Sequence, residues 1–253
     1  MNDASRGEAR NVSGLLQDWR KPPEHPFRWR KMKRQEADEP ERFLRRREPW
    51  CVGACGRFLA RNFRKDQVWT LRNPAGLLSA LILYSRRTVF PVFDGTANVP
   101  LLHFIRRHFK TAPIHAVQGL EEEVRAMEDA LADRGLFAMD SIDYDLMTLD
   151  TEPPEENFRL GPPAMVLRRP DIMDMNDLFE LQREYEKEEI IPRGSVFNPA
   201  ACRLNLQRIL AEEQILTAEL DGRLVGKINT SAASFTRCQI GGVYVHPAYR
   251  GRG

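Results

Sequence analysis

Between residues 67 and 93 the chain runs in short stretches rich in branched and aromatic side chains. The stretches 68–71, 77–84 and 88–93 each predict a β-strand. Upstream the period lengthens to that of a helix. Residues 41–47 predict a short helix, and 51–63 a second with Phe58, Leu59 and Phe63 on one side and Arg57, Arg61 and Arg64 on the wet face. Downstream, 100–109 has a helical period and 114–117 reads as a short strand. Residues 120–133 predict a helix opened by Glu121, Glu122 and Glu123, whose charges suit the positive helix N-terminus. Residues 142–149 alternate as a strand should.

Residues 151–163 hold four prolines, acidic charge and little apolar content, the composition of a linker. A second cycle of elements comes after it. Residues 164–168 predict a strand, and Asp171 caps a helix running to about 188 with Ile172, Met175, Leu178, Phe179 and Leu181 inward. Asn198 caps a further helix over 199–212, with Pro199 at its first position. Residues 215–220, 224–230 and 238–245 predict three antiparallel strands, the first two joined at Asp221-Gly222, a strong hairpin signal.

Composition and charge narrow the class. At 253 residues, 42% hydrophobic and 29% charged, the chain reads as a soluble globular protein with room for two domains. Its longest apolar stretch, 75–84, is broken by Gly76 and Ser79 and is too short to span a bilayer, so no membrane partner is expected. An N-terminus without an apolar h-region, and cysteines 51, 55, 202 and 238 in no paired spacing, point to a reduced, cytoplasmic setting. Cys51 and Cys55 lack a second pair for zinc, and His25, His103 and His108 are badly spaced to complete one, so no metal is expected.

The net charge of +2 hides an asymmetry. Residues 1–110 carry 23 Lys and Arg against 11 Asp and Glu, and residues 111–253 carry 15 against 25. The bland account is that opposite halves dock or that the excess is solvated. The sharper one is a basic front that binds nucleic acid or an acidic partner. In residues 1–40, Arg28, Arg30, Lys31, Lys33 and Arg34 interleave with Phe27, Trp29 and Met32, which reads as a basic, mobile arm, partly docked through its aromatics or packed on its own domain; aromatic and basic residues together can also bind single-stranded nucleic acid.

The chemistry concentrates at residues 241–253, where an apolar run passes through His246-Pro247 into Arg250-Gly251-Arg252-Gly253. Such a loop can aim backbone N–H groups and two cations at a pyrophosphate, with glycines that let the backbone approach closely. Pro247 ends the strand because it has no N–H for the ladder.

Strand, helix, helix and three strands ending in this loop closely resemble the first half of a GNAT-superfamily acetyl-CoA-dependent N-acetyltransferase. The resemblance covers roughly 164–253. Arg250 and Gly253 stand at the first two defined positions of the family's Arg/Gln-x-x-Gly-x-Gly/Ala loop, and the last pair would lie beyond Gly253. The resemblance implies acetyl-CoA as co-substrate, with Val243 and Val245 binding its pantetheine arm and Arg250, Gly251, Arg252 and Gly253 its phosphates. The adjacent Gly241-Gly242 is compatible with a bulge, and ordinary sheet core is the other account of the two valines. Glu188 and Glu189 stand where relatives shape the acceptor site; a solvated helix end is their bland account. Many relatives carry a carboxylate base on this strand, but here stands Gln239, so the catalytic groups stay unassigned. His246 is expected to face outward.

Residues 41–150 repeat the order of elements and resemble a degenerate GNAT-like domain. The segment 94–98, with Asp94, one Gly and no cation, argues against coenzyme binding there. The expectation is therefore a mixed α/β protein with mostly antiparallel sheet: an arm over 1–40, a degenerate GNAT-like domain over 41–150, a linker over 151–163, and an incomplete GNAT domain over 164–253. It would transfer acetyl to a small-molecule or peptide amine by direct attack, this chain being an incomplete and inactive fragment that binds acetyl-CoA weakly or not at all. The alternative is a non-enzymatic module whose basic region binds nucleic acid or an acidic partner. A regulatory first domain with an unidentified ligand is a third reading.

Overall fold

Alternation along the branched stretches buries side chains on both sides of a sheet, so each side needs a layer of helices. A computed structural model describes residues 28–62, 64–95, 99–109, 111–152, 164–192 and 194–251. It is mixed α/β with mostly antiparallel sheet. The first sheet has the order β1 (Arg30–Lys31), β2 (Gln67–Arg72), β3 (Leu78–Ser85), β4 (Thr88–Phe93), β5 (Ala116–Val117), antiparallel except for β4 with β5. Helices α1 (Asp38–Arg47) and α2 (Val52–Leu59) set Phe43, Leu44, Cys55 and Phe58 against Val68, Leu81, Leu83, Phe90 and Val92. On the other face α3 (Leu101–His108) and α4 (Glu121–Ala132) set Phe104, Ile105 and Met127 against Trp69, Leu71, Ile82 and Phe93.

The second sheet has the order β6 (Met165–Arg168), β7 (Ile215–Leu220), β8 (Arg223–Ala233), β9 (Cys238–Val245), all antiparallel. Helices α5 (Met175–Tyr185) and α6 (Pro199–Glu212) cover one face, with Leu178, Leu206, Ile209 and Ile215 at the centre. Asn198 Oδ1 accepts from the N–H groups of Ala200 and Ala201, and Asp221 and Gly222 turn the hairpin at φ 50° and 75°, as their residue types require. Arg168 grips Asp174 with two hydrogen bonds and Glu219 with a third, tying β6 to the start of α5 and to β7.

Several expectations need correction. Residues 142–149 form no strand; Tyr144, Met147 and Leu149 are exposed. Alternation says which side chains would share a face, but a strand also needs a backbone partner, and none pairs here. The second helix stops at Leu59, short of 63, and Phe63 lies outside the described residues. From residue 28 on, the basic run is docked on the first sheet, the packed alternative for it: Arg30 and Lys31 pair with Thr70 and Trp69. Trp29 packs on Phe104 with ring centroids 4.7 Å apart, and Met32 is buried. Residues 1–27, with Phe27 and His25, lie outside the described residues, as do most of the expected linker (153–163) and residues 96–98. Glu121 and Glu122 are exposed, but Glu123 is 3% exposed and accepts from the N–H groups of Phe93 (2.7 Å) and Leu120 (3.4 Å). Burial drives the Glu123 carboxyl up, against the pull of Phe93 N–H and Arg47.

The β3–β4 turn is made by Arg86 and Arg87 at φ 51° and 66°, a left-handed pair normally filled by Asn-Gly. A Cβ disfavours that region, so Arg87→Gly is expected to raise stability by about 1 kcal/mol in urea unfolding. A lower midpoint at unchanged m would show that the Arg87 side chain, 3.2 Å from His115 Nε2, contributes more than the turn strain costs.

Candidate functional site

Strand β9 is irregular where its glycines fall. Lys227 pairs with Tyr244 and Asn229 with Gly241, so β9 spends one more residue than β8 over this step, a bulge at Gly242-Val243. Ser231 is the compensating extra residue on β8, between Thr230 and Ala232. Gly242 has φ 58°, and a Cβ there would lie 2.1 Å from Asn229 Oδ1; a Cβ on Gly241 would lie 2.8 Å from that of Ser231. Both positions require glycine.

Beneath the bulge lies a buried polar group that sequence reasoning missed. Lys227, 3% exposed, donates from Nζ to Gly242 O (2.8 Å) and Asn229 Oδ1 (3.0 Å), and sits 4.6 Å from the centre of the Tyr185 ring. Gly242 N–H in turn donates to the Tyr185 hydroxyl oxygen at 3.2 Å. Asn229 donates to Glu213 Oε2 (2.8 Å), and Arg208 closes the chain on Glu213 Oε1 (2.6 Å). Burial pushes the Lys227 amine down to about 8, with Glu213 and Glu186 opposing. Burial also pushes the Tyr185 phenol up, against the Gly242 N–H. The one signal in the sequence was a lysine in the middle of a strand, between apolar Val225 and Ile228.

The bulge sets the direction of the rest of β9. Tyr244 is 4% exposed and turns toward α5, while Val243 and Val245 are 56% and 40% exposed on the opposite face, so they are not sheet core among the described residues. Beyond β9, His246 Nδ1 accepts from Ala248 N–H and caps a 3-10 turn over Pro247–Tyr249; the ring is exposed. Arg250 then folds back, donating from Nε to Val245 O (2.8 Å) and from its terminal nitrogen to Glu188 Oε2 (2.9 Å). Tyr244 donates to Glu188 Oε1 at 3.1 Å. The Arg250 guanidinium holds the Glu188 carboxyl below its ordinary range, and Glu188 raises Arg250 in return. Gly251 has φ 71° with open space around its α-carbon; Arg252 and Gly253 lie outside the described residues.

Glu188 and Glu189 sit on a π-helical turn, Glu186–Ile190, that extends α5. Glu189 is exposed, and its charge is felt at Tyr185. Glu188, Tyr244, His246 and Glu184 line a cleft of about 280 Å³. The structure thus brings Arg250 and Glu188 together and leaves Val243 and Val245 on the other face. Among the described residues no helix is long and apolar enough to cross a membrane, and no three metal-ligating side chains converge.

Residues 175–253 match the acetyltransferase (GNAT) family. The chain is similar to a possible acetyltransferase from Clostridium difficile 630 at 15% identity, covering 36% of this chain and 62% of that one (TM-score 0.31). A GNAT family acetyltransferase from Brucella melitensis in complex with acetyl-CoA is 22% identical over 35% of this chain and 59% of its own (TM-score 0.28). A tandem GNAT protein from the clavulanic acid biosynthesis pathway is 11% identical over 90% of this chain and 81% of its own (TM-score 0.44). The chain spans about three fifths of the Clostridium and Brucella proteins. No curated protein matches the sequence.

The buried lysine makes stability depend on pH with a definite sign. Below about pH 8 the folded state carries the full cost of the buried charge. Between about 8 and 10.5 the folded amine is neutral while the unfolded one stays protonated, so the unfolded state binds more protons and stability rises with pH. Urea midpoints are expected to show this rise, about 3 kcal/mol, in the native protein and not in Lys227→Met. Parallel curves would show that Lys227 titrates normally.

Proposed function

We propose that the protein binds acetyl-CoA along β9 and at the loop beyond it, and transfers the acetyl group to the amine of a small molecule or peptide. The observation that carries this is the bulge at Gly242: it redirects β9 so that Val243 and Val245 face outward and the chain leads into Arg250-Gly251. The residues present fit a nucleotide thioester. Gly251 has the positive φ and open surroundings that let its backbone come close to a phosphate, and Arg250 supplies a half-exposed cation.

The chemistry asks for an unprotonated amine, a polarised thioester carbonyl and a proton for the departing thiolate. The amine attacks the carbonyl carbon directly; the C–S bond breaks, and the thiolate takes up a proton, with no acyl-enzyme. β9 carries no carboxylate, so the amine's proton leaves through water or to a group outside this strand. Backbone N–H groups of β9 stabilise the developing oxyanion. Glu188 and Glu189 attract a cationic acceptor. Because Glu188 holds Arg250 in the free protein, phosphates that draw Arg250 away also release Glu188 toward the acceptor.

Amide NMR spectra recorded while acetyl-CoA is added test this even at low affinity. The expected result is shifts centred on residues 241–251 and on the Glu188 turn that Arg250 releases, diminished in Arg250→Ala. No shifts at millimolar acetyl-CoA, or shifts centred on the first sheet, would overturn the proposal.

A further inference from the structure

The start of β9 is held by the other half of the molecule. Glu48, in a 3-10 turn between α1 and α2, is 5% exposed and points at the loop joining β8 to β9. Its carboxylate accepts from the Ser234 hydroxyl (2.5 Å), the Thr236 N–H (2.7 Å), the Thr236 hydroxyl (2.8 Å) and the Arg237 N–H (3.1 Å). Burial alone would raise this carboxyl, but the donors outweigh it and hold it at about 2, ionised throughout the neutral range. One buried carboxylate therefore satisfies two backbone N–H groups of a loop four residues long.

Three further contacts seat the same hairpin tip. The Arg45 guanidinium lies 4.0 Å from the centre of the Phe235 ring, and Phe235 packs against the core beneath α1 and α2. Gly56 on α2 meets the backbone of Ala233 so closely that a Cβ there would lie 2.5 Å from the carbonyl oxygen. Arg237 pairs with Asp150 at 2.7 Å. Backbone, charge and ring contacts coincide at one hairpin tip, and Cys238, the next residue, begins β9.

We propose that Glu48 is a positioning residue for acetyl transfer: from the first sheet's helical layer it fixes the tip of the β8–β9 hairpin, and thereby the register in which β9 presents the Gly242 bulge. The functional half of this inference rests on the proposed acetyl-CoA binding; the mechanical half does not. On this account the first unit is a brace for the strand that bears the site. A rigid strand needs both ends held. Lys227 holds β9 at the bulge and Glu48 holds it at the tip, four residues upstream of Gly241.

Hydrogen exchange on the full chain tests the mechanical half. In Glu48→Ala, amides of residues 234–246 are expected to exchange at least about tenfold faster, while those of 78–93 and 215–220 stay within about twofold of the native protein. Glu48→Gln, whose amide oxygen still accepts, should restore part of the protection. Thr236→Val removes one hydroxyl only and should give a smaller change in the same segment, which keeps the test open if the alanine variant folds poorly. The acetyl-CoA shifts at 241–251 should need about tenfold more ligand in Glu48→Ala. Unchanged exchange at 234–246, or equal acceleration in all segments, would overturn the brace. Absence of acetyl-CoA shifts in the native protein would overturn the acetyl-CoA reading alone, and faster exchange confined to 234–246 would still support the brace.

Discussion

The second sheet is organised around one buried ammonium. A lysine in the middle of a strand, facing the helices, costs several kcal/mol of desolvation unless its donors are met. Lys227 meets this through Gly242 O, Asn229 Oδ1 and the face of the Tyr185 ring. The Gly242 carbonyl reaches the amine because the backbone there adopts φ 58°, and no Cβ fits between it and Asn229. Lysine and glycine therefore specify one another: an apolar residue at 227 would leave Gly242 O and Asn229 Oδ1 unpaired, and a side chain at 242 would displace the network. The extra residue of the bulge then turns Tyr244 toward Glu188 and sets Val243 and Val245 outward.

Much of the chain was legible in sequence where a residue type has a single local use. Asn198-Pro199 marks a helix start because an amide caps two N–H groups and proline lacks one to lose. Asp221-Gly222 marks a hairpin because both residues tolerate positive φ. The glycine pair in β9 was readable as compatible with a bulge. What stayed hidden depends on partners remote in sequence. Glu48 looks like surface charge until Ser234, Thr236 and Arg237 arrive 186 to 189 residues later. Glu123 looks like helix-start charge until Phe93 presents an N–H. Lys227 looks like a solvated strand residue until the bulge turns a carbonyl inward. In the opposite direction, 142–149 has the alternation of a strand and lacks a backbone to pair with.

The two sheets use carboxylates differently at the ends of β4 and β9. In the first, the Phe93 N–H at the end of β4 is taken by Glu123, with Arg47 3.4 Å from the same carboxylate, and Asp94 is the next residue. A phosphate ligand there would meet two anions whose positions are already engaged by the fold. In the second sheet the corresponding anion, Glu188, comes from a π-helical turn at the surface and engages a side chain and not the strand's backbone.

That difference decides how readily each arrangement can be exchanged. Arg250 and Glu188 have side chains about half exposed, 48% and 40%, so water and salt screen their attraction and each side chain gives up rotamer freedom to keep it. A pyrophosphate carries more charge than one carboxylate and offers several oxygens to a planar guanidinium. The exchange of Glu188 for phosphate at Arg250 is thus favourable in charge and cheap in structure, whereas removing Glu123 from Phe93 would strand a buried N–H. If Arg250 binds the coenzyme as proposed, the ion pair in the free protein is a holding position for the cation. The acidic π-helical turn does not contradict a coenzyme role for Arg250: it keeps the guanidinium folded over Tyr244 and Val245 O, where an incoming phosphate would find it.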